Sequence, residues 1–107
     1  MYFKPFITGS FAYGSPDDDS DIDLVVFMTK EIVDFLLTKR DPGRRSIHFG
    51  KLNIIPVISE AEYLVWLDGT RELSLRRPVT TEEATAVLDR LRSERGVKIP
   101  DWWLKTI

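Results

Sequence analysis

Residues 22–28 (IDLVVFM) constrain the fold of this chain more than any other segment. The run is β-branched, aromatic or otherwise apolar, and its one charge, Asp23, stands near its start. With no polar face to offer to water, it predicts a strand covered on both sides. Helices must supply that cover, because 107 residues hold one sheet and a few helices. The flanking segments agree. Residues 2–8 are β-rich, with residues 6–8 the well-paired part, since Pro5 cannot donate to a ladder. Residues 9–14 (GSFAYG) predict a turn into a short helix, and residues 15–20 (SPDDDS) a polar loop. Thr29 caps a helix to about Thr38, with Ile32, Val33, Leu36 and Leu37 as its apolar stripe and Lys39 and Arg40 at its C-terminal end.

Asp41, Pro42 and Gly43 predict a turn. Residues 46–49 and 51–58 read as two strands, or one bent strand broken at Gly50. Ser59 and Glu62 have capping-box spacing before a helix carrying Tyr63, Leu64, Trp66 and Leu67, which Gly69 is expected to interrupt. Thr80 and Glu83 repeat that spacing before a helix whose Ala84, Val87, Leu88 and Leu91 lie on one face and which Gly96 ends. Trp102 and Trp103, in a tail too short to fold alone, are expected to pack back on the body. The sum is an α/β (α+β) single domain over residues 1–107, a small mixed β-sheet backed by helices, with no internal repeat or linker.

Composition removes several function classes. Cysteine is absent, which excludes disulfide scaffolds, thiolate zinc sites and thiol nucleophiles. The single histidine, His48, cannot build a histidine cluster and reads as a structural strand residue. A net charge of −2 excludes coating of nucleic acid by bulk charge. No apolar run approaches the roughly 18 residues of a membrane span, and the N-terminus lacks the pattern of a secretory signal. A cytoplasmic setting is the expectation.

Charge matters locally instead. Asp17, Asp18, Asp19, Asp21 and Asp23 crowd into seven residues, which costs repulsion unless water or cations screen it. Asp17, Asp18 and Asp19 read as a solvated loop. Asp21 and Asp23, one residue apart at the start of a strand, point to one face. Two carboxylates on one face suit a hard divalent cation such as Mg2+. Upstream, Gly9 lets backbone N–H groups approach a ligand, and the Ser10 hydroxyl can donate to a phosphate oxygen. A phosphate cradle beside a carboxylate pair points to phosphoryl or nucleotidyl transfer. Two other readings fail. An EF-hand needs Gly where Ile22 stands and Glu where Met28 stands. A P-loop needs Lys and Ser or Thr where Ser15 and Pro16 stand. Arg44, Arg45 and Lys51 read as surface cations, and Tyr63 and Trp66 as core or interface. Tyr13 fits either the core or a pocket wall.

Gly9, Ser10, Ala12, Gly14, Ser20, Asp21, Asp23 and Leu24 together resemble the signature of the DNA polymerase beta-type nucleotidyltransferase superfamily, and most of all its minimal, stand-alone members. The pattern is Gly-Ser, Ala two residues on, Gly two after that, a short polar loop, then Ser-Asp-x-Asp-Leu on a strand. The resemblance implies a nucleotidyltransferase fold, truncated at the N-terminus because the chain begins at its first strand. It implies that Gly9, Ser10 and Ser20 bind a nucleoside triphosphate such as ATP. It implies that Asp21 and Asp23 are catalytic and ligate two Mg2+ ions, with Mn2+ as the alternative. The product would be a nucleoside monophosphate joined to a hydroxyl of a protein, an RNA end or a small molecule. Relatives carry a third carboxylate on a later strand. Its position falls here on Asn53, with Glu60 a substitute only if the strand end curls back. That departure implies the alternative of a catalytically impaired nucleotide-binding or antitoxin-like module with a toxin-type protein partner.

Overall fold

The computed structural model describes residues 3–39 and 47–99. Among them the order is β1 (Phe6–Thr8), α1 (Ser10–Tyr13), β2 (Ile22–Phe27), α2 (Lys30–Leu37), β3 (Ile47–Phe49), β4 (Leu52–Val57), α3 (Glu60–Ser74) and α4 (Thr81–Arg95). The four strands form one mixed sheet in the order β1-β2-β4-β3. β1 runs antiparallel to β2, β2 parallel to β4, and β3 antiparallel to β4. The parallel pair needs a crossover, and α2 lies on it. β3 and β4 thus form a hairpin of two strands rather than one bent strand, turned at Gly50 with φ +62°. The fold is mixed α/β, as expected.

The register decides which side chains share a face. Thr8, Asp23, Asn53 and His48 align across the sheet, as do Phe6, Val25 and Ile55. These rows face the helices. Val25, Ile55 and Val57 join Tyr63, Val65, Trp66 and Leu73 of α3 and Ala84, Val87, Leu88 and Leu91 of α4 in the main core. Phe3, Phe6 and Phe27 ring Tyr63, whose hydroxyl donates to the Lys4 carbonyl at 2.8 Å. On the other face the cover is thinner than the apolar run in β2 implied. Ile47 and Ile54 are buried there as cross-strand partners, outside the main core, while Leu24 and Val26 are half-buried and Ile7 is 49% exposed.

Three expectations need correction. Gly69 does not interrupt its helix: α3 is continuous, and a Cβ on Gly69 would lie 2.6 Å from Leu88 Cδ2, so the glycine serves close packing of α3 on α4. Ser59 caps α3 by accepting the Glu62 N–H, but the Glu62 side chain does not reach back. Its carboxylate turns inward and accepts from Trp66 Nε1 at 3.3 Å. The box at Thr80 and Glu83 is reciprocal as expected. In α2 the stripe is narrower than predicted, with Val33 buried but Ile32 48% exposed. Arg40, the turn at Asp41, Pro42 and Gly43, Arg44, Arg45, Trp102 and Trp103 lie outside the described residues. No helix among the described residues is long and apolar enough to cross a membrane.

Candidate functional site

The site is built where β1 hands over to α1. Thr8 pairs with Asp23, so the next residue must pass beside the Asp23 carboxylate. Gly9 does so with φ +72°, and a Cβ there would lie 2.0 Å from Asp23 Oδ2. Only glycine combines that backbone with that approach. The Gly9 carbonyl accepts from Ala12 and Tyr13 at 2.9 and 3.0 Å, winding α1 into a single turn. Gly14 closes it by donating to the Ser10 carbonyl at 2.9 Å, and a Cβ on Gly14 would lie 2.9 Å from Ser10 Cα. The two glycines thus fix Ser10 beside the acids. Below, the hydroxyls of Thr8 and Thr70 meet at 2.7 Å, tying β1 to α3.

Asp21 stands just before β2 and Asp23 is its second residue. Each is held by a donor from the neighbouring hairpin. Asn53 Nδ2 donates to Asp23 Oδ1 at 2.8 Å, and His48 Nε2 lies 3.1 Å from Asp21 Oδ2. The loop before them is closed by its own polar groups. Asp17 Oδ1 accepts from the Asp19 N–H and the Ser20 hydroxyl, and Ser20 Oγ accepts the Asp17 N–H at 2.9 Å. Lys51 Nζ donates to the Asp18 carbonyl. Asp17, Asp18 and Asp19 are exposed, as expected of a solvated loop, and the Ser20 hydroxyl is engaged within it.

Electrostatics set Asp23 apart. Burial pushes its carboxyl above the ordinary aspartate range, the Asn53 hydrogen bond counters this, Asp21 raises it further and His48 lowers it. Burial also raises the Tyr13 phenol, against a hydrogen bond from Thr8 and with the help of Asp23, so this hydroxyl stays protonated.

Tyr13 and the two acids line one cleft of about 620 Å3, in the range of small-molecule sites. Gly9, Ser10, Ser20, Asp21, Asp23 and Asn53 form one side. Thr80, Thr81, Ala84 and Thr85, from the first turns of α4, form the other, and Ile55, Trp66 and Leu88 supply an apolar floor. The α3–α4 connection is pinned across α1, with the Val79 N–H donating to the Tyr13 carbonyl at 2.8 Å and Arg77 Nε to the Gly14 carbonyl at 3.3 Å. Asp21 and Asp23 are the charged side chains among the described lining residues. Glu60 opens α3 away from the lining. Tyr13 is both core and wall.

The donor set fits a hard cation. No group of three His, Cys, Asp or Glu forms a cage among the described residues. Mg2+ does not need one, since it takes one or two carboxylates and fills its shell with water and substrate phosphates. Asn53 Oδ1 is buried without a hydrogen-bond partner. Its Nδ2 is engaged with Asp23, so Asn53 acts here as a donor to the carboxylate. Sequence reasoning took His48 as a strand residue, which it is, but did not place it beside Asp21. It also missed the α4 wall. The signal for His48 lay in the hairpin: a two-residue turn at Gly50 and Lys51 sets position 48 opposite 53. Comparison with protein-family models, curated proteins and solved structures returned no match.

Proposed function

We propose that this protein binds a nucleoside triphosphate with divalent cations and transfers its nucleoside monophosphate to a hydroxyl acceptor, as a minimal nucleotidyltransferase of the DNA polymerase beta type. One observation carries the reading. Ser10 and the pair Asp21 and Asp23 come from separate stretches, yet line one cleft with the Gly9 backbone against Asp23. The order of elements, with the Gly-Ser turn after β1 and both acids at the start of the antiparallel β2, supports it further.

In this reading Ser10 and the Gly9 turn hold the polyphosphate, and Asp21 and Asp23 hold Mg2+ or Mn2+. Bound there, the cations neutralise phosphate charge and align the attacking and leaving oxygens. The acceptor oxygen bonds to the α-phosphorus, the bond from that phosphorus to the bridging oxygen breaks, and pyrophosphate leaves with the electron pair. The acceptor proton passes to water, since Asn53 offers no basic carboxylate. A protein side chain, an RNA end and a small molecule are the acceptor classes.

A second reading keeps the site for binding without turnover, alone or in complex with a toxin-type protein. The Asn53–Asp23 hydrogen bond favours it, because an amide stands where a third acid would accept the acceptor proton. The experiment is incubation of the full chain with labelled nucleoside triphosphates, Mg2+ and cell lysate. Transfer of label that Asp21→Ala abolishes supports the enzyme. Nucleotide binding without label transfer, with transfer gained in Asn53→Asp, supports the second reading. A melting temperature unmoved by a saturating nucleotide with Mg2+ refutes both, since 100-fold excess over Kd adds about 2.7 kcal/mol.

A further inference from the structure

We propose that His48 is a positioning residue that fixes Asp21 for cation binding. The inference rests on the function proposed above, in which Asp21 is a cation ligand. β3 is only three residues long. Ile47, 1% exposed, anchors it from the opposite face, which sets the next side chain on the side of the acids. His48 aligns with Asn53, and Asn53 with Asp23, so one row of the sheet carries both donors beside both carboxylates.

The chemistry follows from that row. His48 Nε2 is 3.1 Å from Asp21 Oδ2, with the imidazole side chain 13% exposed and the carboxylate 46% exposed. A bare Nε2 lone pair facing a carboxylate oxygen at that distance would be repulsive, so Nε2 carries a proton and donates. Such a bond to an ionised acceptor is among the stronger kinds. Asn53 does the same for Asp23 Oδ1 at 2.8 Å. One oxygen of each acid is thus anchored from the hairpin, and for Asp21, the more exposed of the pair, the other oxygen is left to a cation. Outer partners of this kind hold ligands in the geometry a cation requires, and losing one weakens binding roughly 10- to 100-fold. The assignment also makes Nε2 a donor and not a ligand atom, because a protonated ring nitrogen has no lone pair for a metal.

The test measures Mn2+ binding to the full chain by loss of the free-ion paramagnetic resonance signal. Wild type, Asp21→Ala, His48→Leu and His48→Gln are compared, and each is melted without metal to follow folding. Leucine keeps the volume and removes the donor, and the glutamine amide restores one. Binding abolished in Asp21→Ala, weakened about 10- to 100-fold in His48→Leu and largely recovered in His48→Gln is the expected pattern. Unchanged affinity in His48→Leu, or no recovery in His48→Gln, overturns the inference while leaving the function intact. Absence of Mn2+ binding by the wild type removes the function and this inference together. Should His48→Leu not fold, the wild type decides alone. His48 is the only histidine in the chain, so its ring nitrogens give a single set of 15N resonances. A proton on Nε2 with and without Mg2+ is expected. A ring protonated on Nδ1 alone overturns the inference.

Discussion

Replacing Gly9 by alanine tests the geometry on which the site depends. Two costs add. The backbone at φ +72° and ψ −155° lies where essentially only glycine goes, worth roughly 1–3 kcal/mol for another residue. The new Cβ would sit 2.0 Å from Asp23 Oδ2, 2.9 Å from Cγ and 3.2 Å from Cβ. Asp23 cannot simply step aside, because Asn53 holds its other oxygen and ladders flank its backbone on both sides. Forced displacement in a packed site costs roughly 1–3 kcal/mol more. The expected loss is therefore about 2–6 kcal/mol, or roughly 10–25 °C of melting temperature at about 4 °C per kcal/mol for 107 residues. Gly50→Ala is the control. It shares a positive φ of 62°, but nothing lies within 4 Å of its Cβ, so only the left-handed cost of about 1–2 kcal/mol applies. Urea unfolding of both variants, and of Gly9→Ala in an Asp23→Ala background, separates the terms. The clash with Oδ2 and Cγ should vanish in the double variant, leaving only the 3.2 Å approach to Cβ and giving a coupling of about 1–3 kcal/mol. A Gly9→Ala loss no larger than that of Gly50→Ala, or strict additivity with Asp23→Ala, would refute the close approach.

Three more outcomes follow from the same packing and charge. Asp23 has its folded pKa raised, so stability falls as pH rises from the ordinary aspartate value through that raised value; Asp23→Asn should flatten this limb of the melting profile, raise the neutral-pH melting temperature by a few degrees and eliminate stabilisation by Mg2+. Glu62 is raised in the same direction, by burial against the pull of Arg92 and the Trp66 hydrogen bond; Glu62→Gln keeps an acceptor for Trp66 and should stabilise by about 0.5–1 kcal/mol at neutral pH, with no effect on cation affinity in titration. Gly69→Ala gains about 1 kcal/mol of helix propensity but drives a Cβ into Leu88, costing about 1–3 kcal/mol; a net loss that Leu88→Ala relieves in a double-mutant cycle is expected, and a net gain would sink the packing argument.

The local devices were legible because each has its own short-range cause. Thr29, Thr80 and Gly96 act within four residues of themselves, and they cap their helices as their spacing foretold. Asn53 was singled out through the resemblance, at the position of a third carboxylate, and the parallel register of β2 and β4 sets it opposite Asp23. What escaped depends on distant partners. Gly69 reads as a helix breaker in one dimension and becomes a packing notch only once Leu88 arrives from another helix. Glu62 has the spacing of a box residue, yet the indole of Trp66 one turn on competes for its carboxylate and wins because both are buried. The α4 wall of the cleft needs the Arg77–Thr80 connection to fold over α1, and no pattern in either segment announces that contact.

The charge pattern of the cleft dictates an order of events that can be measured. Its charged lining consists of Asp21 and Asp23, and burial already disfavours ionisation of the second. A bare polyphosphate meets only like charge there, at the separations where a low local dielectric makes repulsion strongest. A divalent cation meets the opposite situation, because the burial that disfavours the Asp23 charge also strengthens its pull on a cation. Cation alone should therefore bind and stabilise, cation with nucleotide should stabilise further, and nucleotide in the presence of chelator should do neither. Calorimetric titration of the full chain under these three conditions reads the order directly. Nucleotide affinity that is the same with chelator as with Mg2+ would mean that basic side chains outside the cleft lining, such as Arg77 at Gly14, neutralise the phosphates instead. In that case the two acids would be bystanders to nucleotide binding.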